Sequence, residues 1–188
     1  MVGNPSHVGT IASAATMDLR SKIRVIADFP KPGVSYKDIT TLLKDGAALR
    51  YVVDRMAEYY ADKPVDVIVG VESRGFLLGA PLAYKMGTGF VLVRKPGKLP
   101  ADTESVSYEL EYGCDSLEIH KDAIEPGQRV LLVDDLLATG GTMAAAADLV
   151  TKLKGEITGF AFLVELAYLN GREKLGDYDI FTLVTYED

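Results

Sequence analysis

Apolar and polar positions change period several times along the chain, and each change marks an element. Across Ala47–Tyr60 the apolar residues Leu49, Val52, Val53, Met56 and Tyr60 recur at three- and four-residue spacing, which gathers them on one face of a helix. Leu19, Ile23 and Ile26 show the same spacing and predict a shorter helix. Val65-Asp-Val-Ile-Val-Gly-Val71 is short, β-branched and bounded by Pro64 and a polar turn, so it reads as a buried strand. Further on, the pattern predicts helix at Phe76–Lys85, strands at Gly89–Arg94 and Gln128–Val133, helix at Thr142–Leu153, and strands at Glu156–Val164 and Ile180–Thr185. Strands alternating with helices predict an α/β fold of the doubly wound class, a mainly parallel central sheet with helices on both faces. Ligands of such sheets lie beyond the carboxyl ends of the strands, where three loops gather: Glu72–Arg74, Arg94–Lys98 and Asp134–Thr142.

The alternation breaks at residues 96–113. Lys98-Leu-Pro-Ala-Asp-Thr-Glu-Ser105 is polar and short of core residues, and a loop this long inside a compact domain predicts a mobile lid. Residues 1–16 are small, polar and weakly patterned, without the basic start and apolar core of a secretory signal. They read as a disordered or loosely attached extension ahead of a single domain at 17–188. An apolar content of 48% over 188 residues suffices for one substantial core. Lys and Arg number 20 against 27 Asp and Glu, a net charge of -7 that argues against nucleic acid or an anionic membrane as partner. No apolar run approaches the roughly 18 residues of a membrane span. The single Cys114 excludes an internal disulfide and suits a reducing cytoplasm, and His7 and His120 make no zinc pattern.

Chemistry concentrates in Val130-Leu-Leu-Val-Asp-Asp-Leu-Leu-Ala-Thr-Gly-Gly-Thr142. An apolar run ends in Asp134 and Asp135, then comes a turn of small and hydroxylated residues, and an alanine-rich helix begins at about Thr142. Backbone N–H groups of Ala138, Thr139, Gly140, Gly141 and Thr142 can converge on a phosphate, aided by the helix dipole. The glycines allow close approach, and the threonines add hydroxyl donors. The paired carboxylates stand where a ribose on that phosphate presents its cis-diol. Either half alone is an ordinary turn; joined, they describe a receptor for a ribose 5-phosphate unit. Neither a Walker-type G-x-x-x-x-G-K-[ST] nor a dinucleotide G-x-G-x-x-G following a strand is present.

This string resembles the phosphoribosyl pyrophosphate signature of type I phosphoribosyltransferases, and its wording is closest to those that take adenine. The similarity runs from roughly Asp18 to Glu187 and includes Asp28-Phe-Pro-Lys-Pro-Gly33, Glu72-Ser-Arg-Gly-Phe76, Val93-Arg-Lys-Pro-Gly-Lys-Leu-Pro100, Tyr108-Glu-Leu-Glu-Tyr-Gly113, Leu163-Val-Glu-Leu166 and Gly171-Arg-Glu-Lys-Leu175. The resemblance implies transfer of a phosphoribosyl group from phosphoribosyl pyrophosphate to adenine, giving AMP and pyrophosphate, in a cytoplasmic homodimer. It also implies a small N-terminal hood at about 28–40 and a lid at about 96–113.

Such a transfer must hold a highly charged leaving group and exclude water. Arg74, Arg94, Lys95 and Lys98 suit pyrophosphate, Arg by its fork and Lys as a point charge, although each alone also reads as a solvated surface cation. By resemblance, Glu72 and Ser73 form a tight pyrophosphate loop in which a non-proline cis peptide is common, and Arg94 reaches the neighbouring subunit's site. Mg²⁺ is implied, held mainly through phosphoribosyl pyrophosphate, so no dedicated ligand cage need be visible. Glu111 is placed in the lid as the group that manages the purine's proton while Arg74 assists at the pyrophosphate, and Tyr112 covers the site. Glu109, two residues away, is the rival, and a solvent-facing strand carboxylate is the plain alternative. The adenine pocket is implied at Val34, Ser35, Tyr36 and Lys37, largely through backbone groups, with Leu166 as an apolar wall or as ordinary core. The family's usual Phe-Arg is here Tyr36-Lys37, which touches only side-chain contributions. Two rivals stay open: a 6-oxopurine in place of adenine, and a non-catalytic regulator, for which this acidic chain offers no nucleic-acid-binding face.

Overall fold

A computed structural model describes residues 16–110 and 113–188, with side chains described outside 109–114. Glu111, Tyr112, the Glu109 side chain and the extension up to residue 15 lie outside the described residues. After a 3-10 turn at Arg20–Lys22, strands β1 (Arg24–Ala27) and β2 (Ser35–Asp38) pair antiparallel, with Arg24 opposite Asp38 and Ala27 opposite Ser35. The helix expected from Leu19, Ile23 and Ile26 is therefore a turn followed by a strand. Leu19 and Ile23 are buried, but the β-branched run Ile23-Arg-Val-Ile26 favours extended backbone.

Helix α1 (Thr40–Leu43) leads to α2 (Gly46–Tyr59), whose first turn is capped by the Asp45 carboxylate accepting from Ala47 and Ala48 N–H at 3.0 and 3.2 Å. The chain continues through β3 (Val67–Val71), α3 (Arg74–Met86), β4 (Gly89–Val93), β5 (Thr103–Leu110), β6 (Gly113–His120), β7 (Arg129–Leu137), α4 (Gly141–Lys152), β8 (Glu156–Leu166) and β9 (Ile180–Tyr186). Five of these strands form one parallel sheet in the order β4-β3-β7-β8-β9. The order reverses between β3 and β7, and the crevice opening there is where a doubly wound sheet takes its ligand.

The central strand β7 shows why the sheet is covered on both sides. Leu131 and Val133 enter one core with Val52 and Met56 of α2 and Leu78 and Leu82 of α3. Val130 and Leu132 enter the other, with Leu149 and Val150 of α4. Each such leucine, fully buried, contributes about 2 kcal/mol, which is why a parallel strand reads as a continuous apolar run.

The expected lid is only partly a loop. Thr103-Glu-Ser-Val-Ser-Tyr-Glu-Leu110 alternates in period two and forms β5, paired antiparallel with β6 from Thr103–His120 to Leu110–Gly113. Leu117 and Ile119 of β6 are fully buried in the α4-side core, and the Arg94–Glu118 bridge ties β6 to the chain just past β4. Among the described residues, no helix is long and apolar enough to cross a membrane.

Candidate active site

Strands β3 and β7 end side by side, and the turns leaving their carboxyl ends converge on a cleft of about 310 Å³. Strand β7 extends beyond the expected Val133 to Leu137, so both aspartates sit on the strand rather than after it. Their side chains consequently leave on opposite faces. Asp135 is buried, and its Oδ2 accepts from Arg74 Nε at 2.5 Å. Asp134 Oδ1 accepts from the Asp135 N–H at 2.9 Å. Burial, and next the negative charge of Asp135, hold the Asp134 carboxyl well above the usual carboxylate range. Arg74 opens α3 beside them because Gly75 lets the helix approach β7: a Cβ on Gly75 would stand 2.8 Å from the Val133 carbonyl oxygen and 3.0 Å from Asp134 Oδ1. Burial disfavours the Arg74 charge, but the charge and hydrogen bond of Asp135, joined by the nearby Asp134, leave the guanidinium pKa raised.

The turn from β7 to α4 has the form of an anion cradle. Gly140 is left-handed at φ 79° and caps α4; its carbonyl accepts from Ala144 N–H at 2.9 Å. The N–H groups of Gly141, Thr142 and Met143 in the first turn precede any intrahelical acceptor, and these residues line the cleft together with Ala138, Thr139 and Gly140. Behind the cradle stands Gly171. A Cβ on Gly140 would meet the Gly171 carbonyl oxygen at 2.3 Å, and one on Gly171 would meet the Ala138 carbonyl oxygen at 2.2 Å.

Of the remaining residues singled out in the sequence, Glu72, Ser73, Arg74 and Lys95 line the same cleft. The Glu72–Ser73 peptide is cis, as the resemblance implies. Arg94 and Lys98 do not line it. Arg94 Nε is bonded to Glu72 Oε2 at 2.6 Å at the rim, and Lys98 is exposed. Lys95 is ion-paired with Asp115. Tyr108 Oη donates to Asp115 Oδ2 at 3.2 Å and lies 3.3 Å from Thr142 Oγ1, linking the β5–β6 hairpin to the cradle. Sequence reasoning assigns no role to Tyr108 or Asp115. Tyr108 stands inside a family-like motif, and its spacing of two from Val106 along a strand is the available signal.

The residues expected to hold the base lie outside the cleft lining. Tyr36 packs edge-on against Phe29 with ring centroids 5.1 Å apart. Lys37 is buried; its Nζ donates to Ser35 Oγ at 2.9 Å and stands 4.3 Å from the centre of the Tyr186 ring. That side chain is spent on internal contacts, which leaves the backbone as what the segment offers a ligand. Val34 N–H is bonded to the Lys31 carbonyl at 3.2 Å. Leu166 packs in the core on the α2 and α3 side. Among the described residues no group of three His, Cys, Asp or Glu is placed to hold a metal ion.

An anion cradle, an acidic pair and a bracing arginine at the switch point of a parallel sheet define a phosphoribosyl transferase, and the family model of the phosphoribosyl transferase domain matches residues 36–187. The adenine phosphoribosyltransferase of Clostridium perfringens strain SM101 is 61% identical over 171 residues, spanning 91% of this chain and 99% of the relative. The crystal structure of adenine phosphoribosyltransferase from Thermoanaerobacter pseudethanolicus is 56% identical and superposes with a TM-score of 0.87 over 89% of this chain and 97% of that one. The Saccharomyces cerevisiae enzyme, solved with adenine and an imino-altritol bisphosphate, is 40% identical with a TM-score of 0.83 over 88% and 96% of the two chains. The chain belongs to the adenine phosphoribosyltransferase family.

Proposed function

We propose that the protein transfers the 5-phosphoribosyl group of phosphoribosyl pyrophosphate to adenine, releasing AMP and pyrophosphate in purine salvage. The observation that carries this reading is the convergence of the cradle, the aspartate pair and Arg74 in one cleft. The 5-phosphate occupies the amides of Ala138–Thr142, and Asp134 and Asp135 take the ribose hydroxyls. Ser73, Arg74 and Lys95 meet the pyrophosphate, with Arg94 and Lys98 at the rim. The bond from the anomeric carbon to the pyrophosphate oxygen breaks as that carbon bonds a ring nitrogen of adenine, whose proton leaves through the second imidazole nitrogen. Glu111 accepts it and Tyr112 covers the reactants, the roles that the family resemblance implies for them. The base lies against the backbone of Val34, Ser35, Tyr36 and Lys37, with Leu166 behind.

Mg²⁺ would be held chiefly by the substrate's phosphates and would supply charge neutralisation for the pyrophosphate, with Asp134 and Asp135 supporting it only indirectly while they hold the ribose hydroxyls. A homodimer is supported by Leu77 and Tyr84, one helical face of α3 at 50% and 91% exposure, beside Leu92 of edge strand β4 at 40%. The single Cys114 suits a cytoplasmic setting.

The test is pyrophosphate release with Mg²⁺ and phosphoribosyl pyrophosphate, comparing adenine, hypoxanthine, guanine and xanthine. Release with adenine alone is expected; release with a 6-oxopurine and none with adenine reassigns the base.

A further inference from the structure

We infer that Arg172 is a positioning residue for sugar-phosphate binding: clamped by Glu165, it fixes the Gly171 turn that forms the floor of the phosphate cradle. The inference rests on reading the Ala138–Thr142 turn as that cradle.

The cradle has no backing of its own on this side. Its main chain abuts the main chain of Gly171 so closely that neither glycine has room for a methyl group: Gly140 would meet the Gly171 carbonyl oxygen at 2.3 Å, and Gly171 the Ala138 carbonyl oxygen at 2.2 Å. Whatever places Gly171 therefore places the amides of the cradle. The Gly171–Leu175 segment is a 3-10 turn with no strand ladder to hold it. Leu175 anchors its far end in the α4-side core. The near end is held by Arg172, the residue next to Gly171. Its Nε and Nη2 donate to Oε1 and Oε2 of Glu165, each at 2.6 Å, the two-pronged geometry that only a guanidinium supplies. Glu165 is 5% exposed on β8, and Thr182 Oγ1 of β9 donates to its Oε2 at 3.0 Å. Arg172 Nη1 reaches the Ile180 carbonyl at 3.4 Å. Two strands of the sheet thus grip one arginine, the arginine fixes one glycine, and the glycine fixes the cradle. Hydrogen bonds from Arg172 hold the Glu165 carboxyl below its usual range, so the pair stays ionised at neutral pH.

The test compares wild type, Arg172→Lys and Arg172→Ala in ribose 5-phosphate titration calorimetry, in steady-state KM for phosphoribosyl pyrophosphate and for adenine, and in thermal unfolding. Lysine keeps the charge and loses the fork. The expected result for Arg172→Lys is cooperative unfolding, a ribose 5-phosphate Kd raised about tenfold, a KM for phosphoribosyl pyrophosphate raised in step, and a KM for adenine within about twofold of wild type. Arg172→Ala should lose more on the same axis; should it fail to fold, the lysine variant decides. A folded Arg172→Lys with wild-type ribose 5-phosphate affinity overturns the inference, as does equal weakening for sugar phosphate and base, which marks a general structural role. Wild type failing to bind ribose 5-phosphate removes the cradle reading and this inference with it, whereas unchanged variants of a binding wild type remove the inference alone.

Discussion

Replacing Gly140 with alanine perturbs the cradle without removing any polar group. The residue is left-handed at φ 79°, a region that costs an L-residue about 1–2 kcal/mol. The new Cβ also meets the Gly171 carbonyl oxygen at 2.3 Å, where ordinary contact begins at 3.4 Å, so one of two packed main chains must retreat by about 1 Å. Overpacking of this kind adds about 1–3 kcal/mol, for a total of about 2–5 kcal/mol of lost stability. The same retreat carries the amides of residues 140–142 off their ligand, and misplacement on this scale costs on the order of 100-fold in reactivity. Gly127→Ala is the matched control, with φ 83° and nothing within 4 Å of the new Cβ, so it bears the backbone strain alone. Urea unfolding and pyrophosphate release at varied phosphoribosyl pyrophosphate separate the two effects. Gly127→Ala should lose about 1–2 kcal/mol and keep its KM, while Gly140→Ala loses more and its kcat/KM for phosphoribosyl pyrophosphate collapses. Indistinguishable behaviour of the two variants would refute the close-approach argument.

Three acidic residues carry further tests. Because the folded protein holds the Asp134 carboxyl above its unfolded pKa, its contribution to stability is present at acid pH and is lost as pH rises through the folded pKa. Asp134→Asn should therefore raise the melting temperature of the ligand-free protein at neutral pH and flatten its fall from acid to neutral pH, while weakening ribose 5-phosphate binding; a lower melting temperature at neutral pH contradicts this. Asp115 places a carboxylate inside an anion site and occupies Lys95. Asp115→Asn should tighten pyrophosphate binding by about three- to tenfold in calorimetry, and weaker binding would show that the pair orients Lys95 instead. Glu111→Gln should lower kcat by about 100-fold or more with unfolding unchanged, and activity within a few-fold of wild type shifts the proton-handling role elsewhere.

Much of this architecture is legible in local pattern. The buried strands and the helices of the sheet carry their period plainly, because each parallel strand must be apolar on both faces and each helix on one. The diphosphate string is legible for a related reason: phosphate binding needs glycine and hydroxyl residues at a strand-to-helix junction, and few other purposes place them beside two acids. What stays hidden depends on partners distant in sequence. Asp135 meets Arg74 across 61 positions, and Asp134 titrates high because β7 carries it into the sheet rather than out to a turn. Lys95 faces Asp115 and Arg94 faces Glu72, so with Arg74 three of the four cations already hold acids that basic clustering in the sequence does not pair with them. Tyr108 and Gly171 lie inside family-like motifs, yet their roles arise from contacts with the cradle that no spacing rule anticipates. At Ile23–Ile26, three-residue spacing mimics a helix because a tight turn and a strand meet there.

Amide-resolved NMR during titration with ribose 5-phosphate tests the central claim most directly. The account predicts that the backbone N–H signals of Thr139, Gly140, Gly141 and Thr142 shift together and saturably, with Asp134→Asn, Asp135→Asn and their combination weakening the titration. Saturable shifts confined to another part of the molecule, with these four amides unmoved, would contradict it.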